Sequence, residues 1–147
     1  MALVLLLAVV TSACDLFVSK DGAGDFNSLQ GAVNFAQHNQ AICFRPGTYR
    51  CEDTVVNKSL SIGVDGTVGD VVVSCGGRGR FARVMSAIHI FYGVVVAIDS
   101  LVLDGGSAAA GGLIYAEGVS LRLSNCRLSN SYSACRVWQD ENDGQLF

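Results

Sequence analysis

Apolar positions follow three different rhythms along this chain. From Ala2 to Val10 they form an unbroken run. Between Asn27 and Gln37 they recur as Leu29, Ala32, Val33 and Ala36, the i, i+3, i+4, i+7 stripe of an amphipathic helix. Asn27 is placed to cap that helix, with Gln30 three residues on as its capping-box partner. From Leu60 onward, short aliphatic runs alternate with polar positions and are broken by Gly, Asp, Ser and Asn, the mark of short strands joined by turns. Phe17-Val18, Ile42 to Phe44 and the stretch from Tyr49 predict earlier strands. The turns between them fall at Asp21-Gly22-Ala23-Gly24-Asp25 and Pro46-Gly47.

The third rhythm repeats. Shifting the chain by 25 residues lays Ile88 on Leu113, Ile90 on Tyr115, Val94 on Val119, Val96 on Leu121 and Ile98 on Leu123. Leu101 and Leu103 then meet Cys126 and Leu128. The turn pairs Asp99-Ser100 and Asp104-Gly105 meet Ser124-Asn125 and Ser129-Asn130. The same shift backward puts Val71 and Val73 on Val96 and Ile98, and fails beyond, where Gly76-Gly77 would replace Leu101-Val102. Three short strands and three turns fill one such repeat, so the reading is all-β: a right-handed parallel β-helix with coils of about 25 residues. Val96, Ile98, Leu101 and Leu103 are expected to face inward. Ala97, Val102, Asp104, Arg122 and Arg127 are expected to face out, and Leu113-Ile114-Tyr115 is ambiguous. No coil buries its inner face alone, so stacking must supply the core. The amphipathic helix, about 27–37, is expected to cap the first coil, whose open edges and apolar lining would otherwise template aggregation.

The first rhythm is too short to span a bilayer, which takes about 20 apolar residues. With Thr11-Ser12-Ala13 behind it, the run reads as a signal peptide over 1–13, ahead of a β-helix domain over 14–138 and a polar tail over 139–147. A lipidated Cys14 is a second reading of the same segment, and a buried N-terminal strand a third. The expected location is therefore secreted or at the cell surface, with no transmembrane span. Export permits disulfides among the six cysteines. Cys43 and Cys51 flank the Pro46-Gly47 turn and are close enough in sequence to pair. Cys126 and Cys135 are a second local candidate pair. With 13 acidic and 10 basic residues there is no basic excess for nucleic acid. No C-x-x-C occurs, and neither His38 nor His89 lies near a cysteine cluster, so no metal site is expected.

The segment Val18-Ser19-Lys20-Asp21-Gly22-Ala23-Gly24-Asp25-Phe26-Asn27-Ser28-Leu29-Gln30 resembles the opening of pectin methylesterases. Ala32-Val33 and Pro46-Gly47-Thr48-Tyr49 continue the likeness. Gly111-Gly112-Leu113-Ile114, followed by Leu128-Ser129-Asn130, is similar to the repeats of polymorphic outer-membrane proteins. Together these residues resemble the pectin-lyase-like superfamily, which implies the right-handed parallel β-helix. Activity is not implied in the same way. The esterases use two aspartates, an arginine and glutamines on later coils, and beyond the helical region the only glutamines here are Gln139 and Gln145. Pectate lyases gather acidic Ca²⁺ ligands beside a basic residue, whereas Asp65, Asp70, Asp99, Asp104 and Glu117 are scattered.

The weak substrate-binding candidates are Asp99 and Asp104, with Arg80 among Arg78, Arg80 and Arg83 one coil earlier. A groove of both signs would suit an acidic sugar. Against this, Asp is also favoured at turns for backbone reasons. Asp21 and Asp25 read as a turn rather than a Ca²⁺ loop, since the later bidentate Glu of an EF-hand is missing. Neither histidine has a partner that would make it a base, and no G-x-S-x-G elbow occurs. Two functional expectations follow. One is a non-catalytic surface or carbohydrate-associated module whose partner is an extracellular polysaccharide or another surface protein, with no cofactor. The other is a truncated or divergent polysaccharide-active enzyme, esterase- or lyase-like, which alone would call for Ca²⁺.

Overall fold

A computed structural model describes residues 14–86 and 93–133. The signal peptide expected over 1–13, the tail over 139–147, and Ile88, His89, Ile90 and Cys135 lie outside the described residues. Within them the chain runs β1 (Leu16–Val18), α1 (Leu29–Phe35), β2 (Gln40–Phe44), β3 (Gly47–Arg50), β4 (Thr54–Val56), β5 (Leu60–Val64), β6 (Val71–Ser74) and β7 (Ala82–Met85). It continues through β8 (Val94–Asp99), β9 (Val102–Asp104), β10 (Ser107–Ala108), β11 (Ile114–Glu117), β12 (Val119–Ser124), β13 (Arg127–Ser129) and β14 (Tyr132–Ser133).

Among the described residues every strand ladder is parallel, no hairpin occurs, and only β1 and β2 pair as consecutive strands, with α1 as their crossover. One sheet has the order β1-β2-β5-β8-β12, a second β3-β6-β9-β13 and a third β4-β7-β11, with a small β10-β14 pair beside them. The chain visits the three larger sheets in turn, so each circuit lays one strand on each. Parallel strands need long crossovers, and here the next two sheets supply them.

Alternation along each strand decides what faces the interior. Ile42 lies on Ile62, Ile62 on Ile98 and Ile98 on Leu123, an aliphatic column through the first sheet. Tyr49, Val73, Leu103 and Leu128 form the matching column in the second. In the third, Val56, Val84 and Ala116 stack, beside Thr54, Ala82 and Ile114. Val96, Ile98, Leu101 and Leu103 are buried as the alternation requires, and Arg122 and Arg127 are exposed. Each such aliphatic contributes on the order of 1.5–3 kcal/mol when fully buried. Leu113 and Ile114 are both buried and Tyr115 is half-buried, which resolves the ambiguous stretch.

The 25-residue register holds for β8 on β12 and β9 on β13, where Val96 meets Leu121 and Leu103 meets Leu128. Carried backward it misplaces a strand. Leu60 and Ile62 lie under Val96 and Ile98, a step of 36 residues, while Val72 and Val73 pair with Val102 and Leu103 in the neighbouring sheet. The β7 strand and the chain after it lengthen that circuit. One circuit earlier, Gln40 meets Leu60, a step of 20.

Helix α1 is shorter than the expected 27–37. Ser28, not Asn27, is its N-cap, and the Ser28 hydroxyl accepts from the Gly31 N–H at 3.1 Å. Gln30 does not close a capping box. Its side chain reaches the third sheet instead, accepting from the Val55 N–H at 2.9 Å and donating to the Val55 carbonyl at 3.3 Å. The predicted stripe is right: Leu29, Ala32, Val33 and Ala36 are all buried. The helix packs on β1 and β4, the outermost strands of the first and third sheets, and so covers that end of the stack.

The disulfides join circuits rather than turns. Cys14 pairs with Cys43 and Cys51 with Cys75, so Cys43 and Cys51 do not pair with each other across the Pro46-Gly47 turn. They lie at opposite ends of a bend, on β2 and beyond β3, whereas each true pair spans 29 or 24 residues and stacks one layer on the next. A Cys14 sulfur bonded to Cys43 is not available for lipidation. Cys126 is free, and Cys135, its candidate partner, lies outside the described residues.

Candidate functional site

The corner after β8 turns through Ser100 in the left-handed region, φ 64°, and Asn125 occupies the same place one circuit on, φ 52°. Left-handed backbone is readily tolerated by Asn and Gly. The stacked corners bring side chains together. Asn125 donates to the Asp99 carboxylate at 3.0 Å, and the Ser100 hydroxyl donates to its other oxygen at 2.9 Å. The corner after β9 repeats the device with Gly105, φ 73°, under Asn130, φ 52°. There Ser129 and Asn130 both donate to Asp104 at 2.7 Å. The Ser129 hydroxyl first, and then the Asn130 amide, hold the Asp104 carboxyl below its ordinary range. A carboxylate so stabilised is a poor proton donor near neutral pH. Asp99 and Asp104 thus tie neighbouring circuits together.

Arg80 goes elsewhere. Among the described residues no ion pair joins Arg78, Arg80 or Arg83 to Asp99 or Asp104. Instead Asp53, in a left-handed turn with φ 49° before β4, lies between two guanidinium groups. Arg83 Nε donates to Asp53 Oδ1 at 3.1 Å. Arg80 Nε lies 3.4 Å from the same oxygen, an ion pair whose geometry falls short of a hydrogen bond. The Arg80 guanidinium carbon sits 5.8 Å from the centroid of the Tyr115 ring. Tyr115 donates its hydroxyl to Glu117 at 2.8 Å, and that bond, ahead of burial, raises the phenol above its ordinary value.

Register explains the grouping. Val55, Arg83 and Tyr115 stand side by side across the third sheet, at the positions that alternate with buried Thr54, Val56, Ala82 and Val84. The outer face of this sheet therefore presents a phenol ring, two guanidinium groups and two carboxylates. Such a surface can hydrogen-bond hydroxyls and carboxylates and can pack a ring face against C–H groups. Of this group the sequence singles out Arg80, with Arg83 beside it, and offers Glu117 only as one of several scattered carboxylates. Asp53 carries only the signal of an Asp at a turn, and the steps of 28 residues from β4 to β7 and 32 from β7 to β11, which bring it and then Tyr115 and Glu117 beside the arginines, are not revealed by the 25-residue period.

The remaining candidates serve the fold. Asp21 accepts from the Ser19 hydroxyl and the Ala23 N–H, and Asp25 from the Phe17 N–H at 2.9 Å, which closes the expected turn. His38 lies past the end of α1, and its Nδ1 accepts from the Ser59 N–H at 3.3 Å. Among the described residues no cluster of His, Cys, Asp and Glu could hold a metal ion, and no helix is long and apolar enough to cross a membrane. No protein-family model matches the chain, and no curated protein or solved structure matches it.

Proposed function

We propose that this chain is a secreted or cell-surface right-handed parallel β-helix module of the pectin-lyase-like kind, non-catalytic, whose third sheet binds an acidic extracellular polysaccharide. The observation that carries the reading is the outer face of that sheet, where Arg80 and Arg83 flank Asp53 and Arg80 lies over the half-buried Tyr115. Parallel circuits with stacked aliphatic columns support the β-helix, and two disulfides suit an oxidising compartment. The engagement of Asp99 and Asp104 in corner bonds favours binding over turnover.

The test pairs a pull-down with an assay. Insoluble polygalacturonate should retain the protein, and Tyr115→Ala should weaken retention several-fold without lowering the melting temperature by more than a few degrees. Methylated pectin, and polygalacturonate with Ca²⁺, should be left unchanged. Methanol release or unsaturated products would replace this reading with the enzymatic one. Equal retention of Tyr115→Ala would remove the third sheet from it.

A further inference from the structure

Between the start of α1 and the second and third sheets lies a cavity of about 160 Å³. Its floor is Leu29, Phe44, Val73 and Phe81, each no more than 4 % exposed. Thr54 stands on the wall, in the inward column of the third sheet with Ala82 and Ile114. It is 1 % exposed and its hydroxyl has no hydrogen-bond partner. A buried hydroxyl left unsatisfied costs roughly 1–3 kcal/mol, so its retention in an otherwise apolar column asks for a reason.

The rim has the opposite character. Lys20 and Arg50 line it, both are exposed, and neither has a carboxylate within ion-pair distance among the described residues. Glu52 also lines it, weakly engaged by the Gln30 N–H at 3.5 Å, so the rim carries one net positive charge. An apolar cavity of about 150 Å³ accommodates a benzene-sized molecule. Few convergent polar groups over an apolar floor are the usual make-up of a small-molecule site.

We propose that this cavity binds a small monocarboxylate whose apolar body is about the size of a benzene ring. The ring rests on Phe44, Val73 and Phe81, the carboxylate lies between Lys20 and Arg50, and the Thr54 hydroxyl gains a partner from the ligand. The site is separate from the third-sheet face, and neither reading depends on the other.

Sodium benzoate titrated into the ¹⁵N-labelled protein tests it, with benzyl alcohol as the neutral isostere. Benzoate should shift the amides of Val18, Thr54 and Val73 with a Kd of about a millimolar, as expected for so few ligand atoms. Lys20→Ala and Arg50→Ala should each weaken benzoate about three- to tenfold and leave benzyl alcohol unchanged. Thr54→Val, of nearly the same shape, should keep the fold by thermal melt and weaken benzoate about threefold. Absence of shifts at about 20 mM benzoate, shifts confined to other surfaces, or benzyl alcohol binding as tightly as benzoate would each overturn the proposal.

Discussion

The two ends of the stack reach order by different means. At the helix-capped end, circuit length is irregular, with steps of 20 and then 36 residues in the first sheet, and disulfides join Cys14 to Cys43 and Cys51 to Cys75. The inner column there is closed: Ile42 and Ile62 are at most 1 % exposed. At the far end the step is a steady 25 residues in both the first and second sheets, and Asp–Asn bonds tie the corners. There Leu121, Leu123 and Leu128 are only partly buried. The regular spacing thus runs from the deeply buried β8 and β9 to the partly buried β12 and β13. Covalent links and a helix hold the irregular circuits, while matched corners join the layers whose first and second sheets share one step length.

The sharpest way to break this contrast is a charge in the same column at both ends. Ile62→Asp should cost more than about 4 kcal/mol and unfold the domain, because it strands an unpaired carboxylate in a packed interior. Leu123→Asp, one position of that column further along, should cost about 1 kcal/mol, since water already reaches the site. Far-UV circular dichroism melts measure both, and equal losses would dissolve the distinction. Next in size is the covalent link. Replacing Cys51 and Cys75 together by Ala frees a 24-residue span and should cost about 3 kcal/mol in urea unfolding under oxidising conditions, and reductant, which opens Cys14–Cys43 as well, should leave the wild type less stable than the oxidised variant.

A smaller effect sharpens the role of the cap. Ser28→Ala removes the acceptor of the Gly31 N–H and should cost about 1 kcal/mol, with Ser28→Asp restoring most of it. The smallest concerns the corner bonds. The Asp104 carboxyl is held below its ordinary 3.8, so the stability it contributes is present above that value and is lost as pH falls through the folded-state value. Asp104→Asn should therefore melt below the wild type at neutral pH, and the gap should close as pH drops beneath about 4. A gap that stays constant would assign the effect to shape rather than charge.

Where the spacing is steady, the pairing is legible in the sequence: Val96 on Leu121, Ile98 on Leu123 and Leu103 on Leu128 all hold, as do the matching turns at Asn125 and Asn130. The helix stripe was equally visible, because Leu29, Ala32, Val33 and Ala36 obey the helical period. Val71 and Val73 were misassigned because β6 has the same aliphatic alternation as β8, and nothing local marks which sheet a short strand joins. The disulfides were hidden for a related reason. Nearness along the chain suggested Cys43 with Cys51, but in stacked layers the close neighbours are one circuit away. Arg80 was singled out beside the wrong carboxylates, since only the register of the third sheet reveals Asp53, Tyr115 and Glu117 around it.

One consequence of the all-parallel ladders concerns the order of assembly. Every ladder joins residues at least 20 positions apart, so no strand finds its partner until most of a further layer has been made. Such topologies fold slowly when released all at once. Read vectorially, however, each finished layer is a template for the one synthesised after it, and the helix and both covalent links belong to the segment that emerges first. A circular permutant that moves Cys14–Cys75 behind β13 would keep the contacts of the folded state and forfeit that head start.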